Sequence, residues 1–125
     1  MREARPIVLL VDDEPHVLSA LKRTLRREGL EIETAGHARE ALDRLAEGPP
    51  VDLVISDHKL PGQAGVDLLR AIRRDSPKTA RILLSGWATE IPEATLQGAG
   101  CAAVLSKPWD DAELKVAIQA ALAGR

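Results

Sequence analysis

Phenylalanine and tyrosine are both missing from this sequence of 125 residues, and two tryptophans supply its whole aromatic content of 2%. Reading single-stranded DNA or RNA by base stacking needs a row of rings, so that class of function is excluded. Only one cysteine is present, Cys101, and no internal disulfide can form. With no histidine at a telling spacing, it reads as a small buried hydrophobe rather than a nucleophile. No apolar run approaches 18 residues, and the opening MREARP lacks the apolar core of a signal peptide. Charge of one sign is also lacking: 17 Lys and Arg stand against 19 Asp and Glu, a net charge of -2. That balance argues against coating nucleic acid or anionic lipid, and a cytoplasmic protein is expected.

What is present is 45% hydrophobic, almost all of it Ala, Leu, Val and Ile. Such material suits helices packed on buried strands. At 13.5 kDa it makes one domain over 1–125, with a core at about 6–123, large enough to fold without disulfide or metal. Ile7 to Val11 is a continuous apolar run, as in a strand buried on both faces. Pro15 opens a helix carrying Val17, Leu18, Leu21 and Leu25 at helical spacing, stopped by Gly29. Leu30 to Ala35 alternates like a strand nearer the sheet edge. Ala38, Ala41, Leu42 and Leu45 make a second helix closed by Gly48, and Val51 to Ser56 a third strand. A loop with Pro61, Gly62 and Gly65 leads into a third helix using Val66, Leu69 and Ile72 and ending near Asp75. Ala80 to Ser85 is the fourth strand, 89–98 a short fourth helix and Ala102 to Ser106 the fifth strand. The fifth helix starts near Asp110, which forms a variant capping box with Glu113, and buries Leu114, Ala117, Ile118 and Ala121.

Five strand-helix units with short connections predict an α/β fold: a doubly wound parallel sheet of five strands between helices on both faces. In such sheets the functional crevice lies at the carboxyl ends of the strands. There the first strand delivers Asp12, Asp13 and Glu14, the third Asp57, the fourth Ser85 and Gly86, and the fifth Ser106, Lys107 and Pro108. Two carboxylates about 5 Å apart at an effective dielectric near 20 repel by roughly 3 kcal/mol, so three facing one another call for a cation. Mg²⁺ suits an all-oxygen set and keeps several of its waters. Lys107 and Ser85 are placed to contact phosphoryl oxygens.

VDDE after the first strand, SDHKLPG at the third, LLSGWA at the fourth and LSKPW at the fifth, in this order, resemble the receiver domains of two-component response regulators, from about Pro6 to the end. The resemblance implies a flavodoxin-like sheet of order 2-1-3-4-5 and Asp57 as phosphoacceptor. It implies that Asp13, Asp57 and the backbone carbonyl of Lys59 ligate Mg²⁺ directly, with Asp12 acting through water. Ser85, Lys107 and the amides of His58 and Gly86 would hold the phosphoryl oxygens. The implied partners are a histidine kinase or phosphotransfer protein as donor and a downstream effector domain or protein. The fourth helix, fifth strand and fifth helix would form the surface that switches, with dimers through that face a further expectation. No direct nucleic-acid or membrane contact is expected, and no enzyme activity beyond accepting the phosphoryl group and losing it again. KPWDDAEL is similar to receivers joined to cyclic-dinucleotide phosphodiesterase domains or sensor kinases. An output domain is not contained in these residues, so the chain acts alone or is part of a longer regulator.

Some residues have simpler readings. Glu14 is explained fully as a helix cap. Lys22, Arg23, Arg26 and Arg27 read as the solvated face of the first helix, with kinase docking as the family-based alternative, and His16, His37 and His58 lack metal-ligand spacing. Rival functions are a small phosphatase with Asp57 as nucleophile, a nucleotide-binding module and a pseudo-receiver that works without phosphate. The first lacks the usual second Asp after its nucleophile, having Lys59 there. The second would need a glycine-rich turn where Asp12 and Asp13 stand. Two departures from the family pattern matter: Val104 occupies the position of the usual switch aromatic, and Trp87 and Lys59 flank the path of a hydrolytic water. Shielding by these two rim residues predicts that Trp87→Ala speeds release of phosphate from the aspartyl phosphate; an unchanged rate constant would sink the idea.

Overall fold

The computed structural model describes residues 5–86 and 91–124. Five parallel strands form the sheet: β1 (Ile7–Val11), β2 (Glu31–Ala35), β3 (Leu53–Asp57), β6 (Ala80–Ser85) and β7 (Ala103–Ser106), in the order β2-β1-β3-β6-β7. Counting these five alone, this is the expected 2-1-3-4-5 arrangement. Every residue of β1 and β3 is buried, as continuous apolar runs in the middle of a parallel sheet require. β2, at the edge, keeps Glu31 exposed.

Strand alternation divides the core into two layers. Leu9, Val11, Val54 and Leu83 face α2 (Ala38–Ala46), α3 (Gly65–Asp75) and α4 (Glu93–Ala99), meeting Ala41, Leu68, Leu69, Ile72 and Ala99. Val8, Leu10, Leu53, Ile55 and Leu84 face α1 (Pro15–Leu25) and α5 (Asp111–Ala123), meeting Leu21, Leu25, Leu114 and Ile118. Leu18, Leu42, Leu45 and Ala117 pack on these layers half-buried. Asp110 caps α5, its carboxylate accepting from the Glu113 amide at 2.9 Å.

Some expectations need correction. Between Asp57 and α3, where only a loop was expected, β4 (Lys59–Leu60) and β5 (Gln63–Ala64) form a small antiparallel hairpin around Gly62 at φ +77°. The third strand starts at Leu53 rather than Val51; just before it the Asp52 side chain accepts from the Ile7 amide at 2.8 Å. Glu14 is the N-cap of α1 by position, but its side chain makes no cap bond and pairs with His16 at 3.1 Å instead. The fourth helix runs from Glu93 to Ala99; the first residues expected in it, 89 and 90, lie outside the described residues.

The C-terminal end of α4 is held from outside. Its last turn has no basic residue of its own. Arg73 of α3 donates to the carbonyls of Gln97 and Gly98, both at 3.0 Å. Arg81 of β6 donates to those of Ala99 at 3.0 Å and Gly100 at 3.2 Å, and also to Thr79 at 2.7 Å. Two guanidinium groups thus satisfy the carbonyls that a helix end leaves open. Burial, and then the charge of Arg73, lower the pKa of Arg81. Arg81→Ala should therefore cost about 1–3 kcal/mol in urea denaturation and raise amide exchange in 93–100 more than in α3.

Candidate functional site

Four strand ends converge at one edge of the sheet. β1 runs into Asp12, which is 1% exposed, and Asp13, which is exposed. β3 ends on Asp57, 8% exposed, and β6 on Ser85, 3% exposed. Beyond β7 the Lys107 amide donates to the Ser85 carbonyl at 3.2 Å, which ties the last two strand ends together and brings the Lys107 backbone beside Gly86. The Lys107–Pro108 peptide is cis.

The charges form a compact set. Lys107 Nζ donates to Asp12 Oδ2 at 2.9 Å and lies 3.4 Å from Asp57 Oδ1. One carboxylate oxygen from each of Asp12, Asp13 and Asp57 falls within 4.8 Å of the others. Burial is the main reason the Asp57 carboxyl sits above the usual carboxylate pKa; Lys107 pulls it down, Asp12 pushes it up, and the His58 amide favours the ionised form. A carboxyl raised in this way stabilises the fold while protonated, and that contribution is lost as pH rises through its folded pKa. In its ionised form Asp57 is therefore a cost to the fold. Burial lowers the pKa of Lys107, but the hydrogen bond and charge of Asp12, joined by Asp57, outweigh it and leave Lys107 raised and firmly cationic.

The donor set fits a hard divalent cation. Among the described residues the side chains gathered here are all carboxylates, with no imidazole or thiolate in the set. Asp12 already uses both of its oxygens, one on Lys107 and the other accepting from the Glu14 amide at 2.9 Å. Asp13, which is exposed, and Asp57, whose Lys107 contact is the longer one at 3.4 Å, are the carboxylates less committed to protein partners.

A family model for the response regulator receiver domain matches residues 8–119. The chain belongs to that family. The receiver domain is 37% identical to the signal receiver domain of an HD domain-containing protein from Pseudomonas fluorescens, with a TM-score of 0.87 over 97% of both chains. A CheY-like receiver from Methanospirillum hungatei superposes with a TM-score of 0.89 at 30% identity, over 97% of this chain and 96% of that one. Among curated relatives, the transcriptional regulatory protein CpxR of Escherichia coli is 34% identical over 92% of this chain and 48% of its own length. The hydrogenase transcriptional regulatory protein HoxA of Bradyrhizobium diazoefficiens is 34% identical over 92% of this chain and 24% of its own. The chain thus spans between about a quarter and a half of these regulators.

Other expected residues are placed as follows. Lys59 is exposed on β4. Val104 is half-buried on β7, opposite Leu83 and packed on the α2, α3 and α4 side of the core. Trp87 lies outside the described residues. The His58 amide, expected to face a phosphoryl oxygen, donates to the Leu84 carbonyl at 3.0 Å. Lys22, Arg23, Arg26 and Arg27 are all exposed, and Cys101 is half-buried, its thiol pKa raised by burial. His37 caps α2, its Nδ1 accepting from the Glu40 amide at 3.2 Å.

Sequence reasoning passed over Gly65 as a loop residue. A Cβ there would lie 2.0 Å from the Asp57 carbonyl oxygen, and the Gly65 amide donates to the His58 carbonyl at 2.6 Å. The start of α3 is thereby pressed against the peptide of Asp57, an approach only glycine permits. The available signal was a glycine eight positions after Asp57, opening a helix where a propensity argument would not choose it. Gly65→Ala should destabilise the receiver by about 2–3 kcal/mol in urea denaturation, because the obstacle is backbone and cannot rotate away.

Proposed function

We propose that this receiver domain, a single unit with its core at about 6–123, accepts a phosphoryl group on Asp57 from a histidine kinase or phosphotransfer protein. The observation that carries the reading is a nearly buried carboxylate held 3.4 Å from a lysine ammonium, with two further carboxylates within reach of a shared cation. Asp13, Asp57 and the Lys59 carbonyl would hold Mg²⁺ directly, and Asp12 through water. The bound ion would neutralise charge that builds up on the transferring group.

The transfer breaks the P–N bond of a phosphohistidine as a P–O bond forms to an Asp57 carboxylate oxygen. The electron pair of the broken bond returns to the imidazole nitrogen, and because the other ring nitrogen of the donor carries a proton, the ring leaves as neutral imidazole. Asp57 attacks as its carboxylate, so no general base has to take a proton in the step. Lys107 stays charged through the step and offsets negative charge on the phosphoryl oxygens, while Ser85 and the amides of His58 and Gly86 donate to them. Asp12 keeps Lys107 in place by holding its ammonium at 2.9 Å.

A branched aliphatic at Val104 lacks the ring that turns inward in many receivers. The change of state would then pass through Ser85 and the segment leading to α4, reaching the surface of α4, β7 and α5, where an effector or a second copy binds. The curated relatives are transcriptional regulatory proteins, which supports an effector downstream. A cytoplasmic location accords with a kinase donor, and among the described residues no helix is long and apolar enough to cross a membrane.

Incubation with acetyl phosphate and Mg²⁺ should add one phosphoryl group by intact mass, lost on treatment with base or hydroxylamine. Asp57→Asn should take up none, and Lys107→Ala should label at least tenfold more slowly. Sustained turnover of p-nitrophenyl phosphate would favour the phosphatase reading, and absence of labelling in the wild type would overturn the receiver reading.

A further inference from the structure

The carboxylate of Asp57 is the reacting group in the reading above, but the peptide that follows it aims one of the expected phosphoryl donors. The Asp57 carbonyl and the His58 N–H belong to one planar trans unit, so fixing the direction of one fixes the other. Both ends are held. The Ser56 hydroxyl donates to the Asp57 carbonyl oxygen at 2.9 Å, and the His58 N–H donates to the Leu84 carbonyl at 3.0 Å on the other side of the strand. Gly65 closes against the same carbonyl oxygen, where a Cβ would come within 2.0 Å.

Ser56 is an unlikely residue for its place by packing alone. It is 0% exposed in the centre of the sheet, and its aligned neighbours are Val11 on β1 and Leu83 on β6. Two residues earlier on the same face of β3 stands Val54, in the aliphatic layer under α2 and α3. A valine would fill such a position at no desolvation cost, whereas a hydroxyl there must be hydrogen-bonded to be tolerated. The one bond described for it is to the carbonyl of the phosphoacceptor.

We propose that Ser56 is a positioning residue: its hydroxyl locks the Asp57–His58 peptide plane so that the His58 N–H stays directed at the strand partner and the acceptor carboxylate. The orientation of the peptide stands on the geometry alone. Its consequence for transfer rests on the reading of Asp57 as phosphoacceptor. Without the hydroxyl, the carbonyl loses one of the contacts that hold it, and any tilt it makes is shared by the amide. Transfer then slows because a donor must be reorganised during the step rather than being in place beforehand. Mg²⁺ affinity, set by the carboxylates, should hardly change.

Ser56→Thr and Ser56→Val form the decisive pair, since they share a shape and differ in the hydroxyl; Ser56→Ala guards against poor packing of either. Two readouts are needed: hydrogen exchange of the His58 amide by NMR, and the rate constant of labelling by acetyl phosphate at saturating Mg²⁺. Valine and alanine should speed exchange of that amide by about tenfold and slow labelling by roughly three- to tenfold. Threonine should restore both, with the Kd for Mg²⁺ within about twofold across the set. Equal exchange and equal labelling in the threonine and valine variants overturn the proposal. If wild type takes no label while the exchange contrast persists, the phosphoacceptor reading fails and the role in transfer with it, and the peptide lock is supported.

Discussion

One ammonium among three carboxylates is the constraint on which the rest of this molecule turns. Lys107 lies 2.9 Å from Asp12 and 3.4 Å from Asp57, and a single positive charge cannot balance both of them and Asp13 as well. The imbalance is not shared equally. Asp12 is compensated twice, by Lys107 and by the Glu14 amide. Asp57 has the weaker contact with Lys107, and its burial leaves its carboxyl with a raised pKa. Of the two buried carboxylates Asp57 is therefore the one whose negative charge is less well met, which is the condition for a site that gains from a cation and from neutralising donors.

The scaffold exists to keep these groups close despite their repulsion. Asp12, Asp57, Ser85 and Lys107 come from four strand ends that are separated by up to 95 positions in sequence. Parallel register aligns them: Val11 with Ser56, Asp57 with Leu84, Ser85 with Ser106. Two aliphatic layers above and below the sheet hold that register, since a slip of one residue would turn each strand's buried side chains to the other face. Local contacts then set the finer geometry around Asp57: Ser56 and Gly65 hold its carbonyl side, and the Leu84 carbonyl holds the following amide. Farther out, Arg73 and Arg81 hold the C-terminal end of α4.

The order of the strands came with the resemblance to receiver domains, whereas the parallel sheet between two helical layers and the convergence of Asp12, Asp13, Asp57, Ser85 and Lys107 were legible in the residues. The reason is that buried parallel strands appear as unbroken runs, and the residue ending each run falls at the same edge. Harder to read were features that depend on what lies opposite a residue. Gly65 looks like any loop glycine until the Asp57 carbonyl is found against it. Ser56 looks like the fading end of an apolar run, and its hydroxyl bond is between neighbours in sequence that no periodicity marks. The hairpin of β4 and β5 is two residues on each side, too short for an alternating pattern. The roles of Arg73 and Arg81 are hidden for the same reason: the lack of a basic residue in α4 is plain, but not that these two side chains, 24 and 18 positions from the carbonyls they reach, lie against its end.

The central claim, that uncompensated carboxylate charge at Asp57 is what the site is built to have neutralised, is tested most directly by thermal unfolding at pH 7. Wild type and Asp57→Asn would be compared in chelator and in saturating Mg²⁺. In chelator the asparagine variant should melt higher, by about 3 °C or more. Mg²⁺ should raise the wild type by several degrees and the variant by less, narrowing the gap, because the ion binds the folded state only. A variant that melts at or below the wild type in chelator, with no shift of either protein on adding Mg²⁺, would contradict the account.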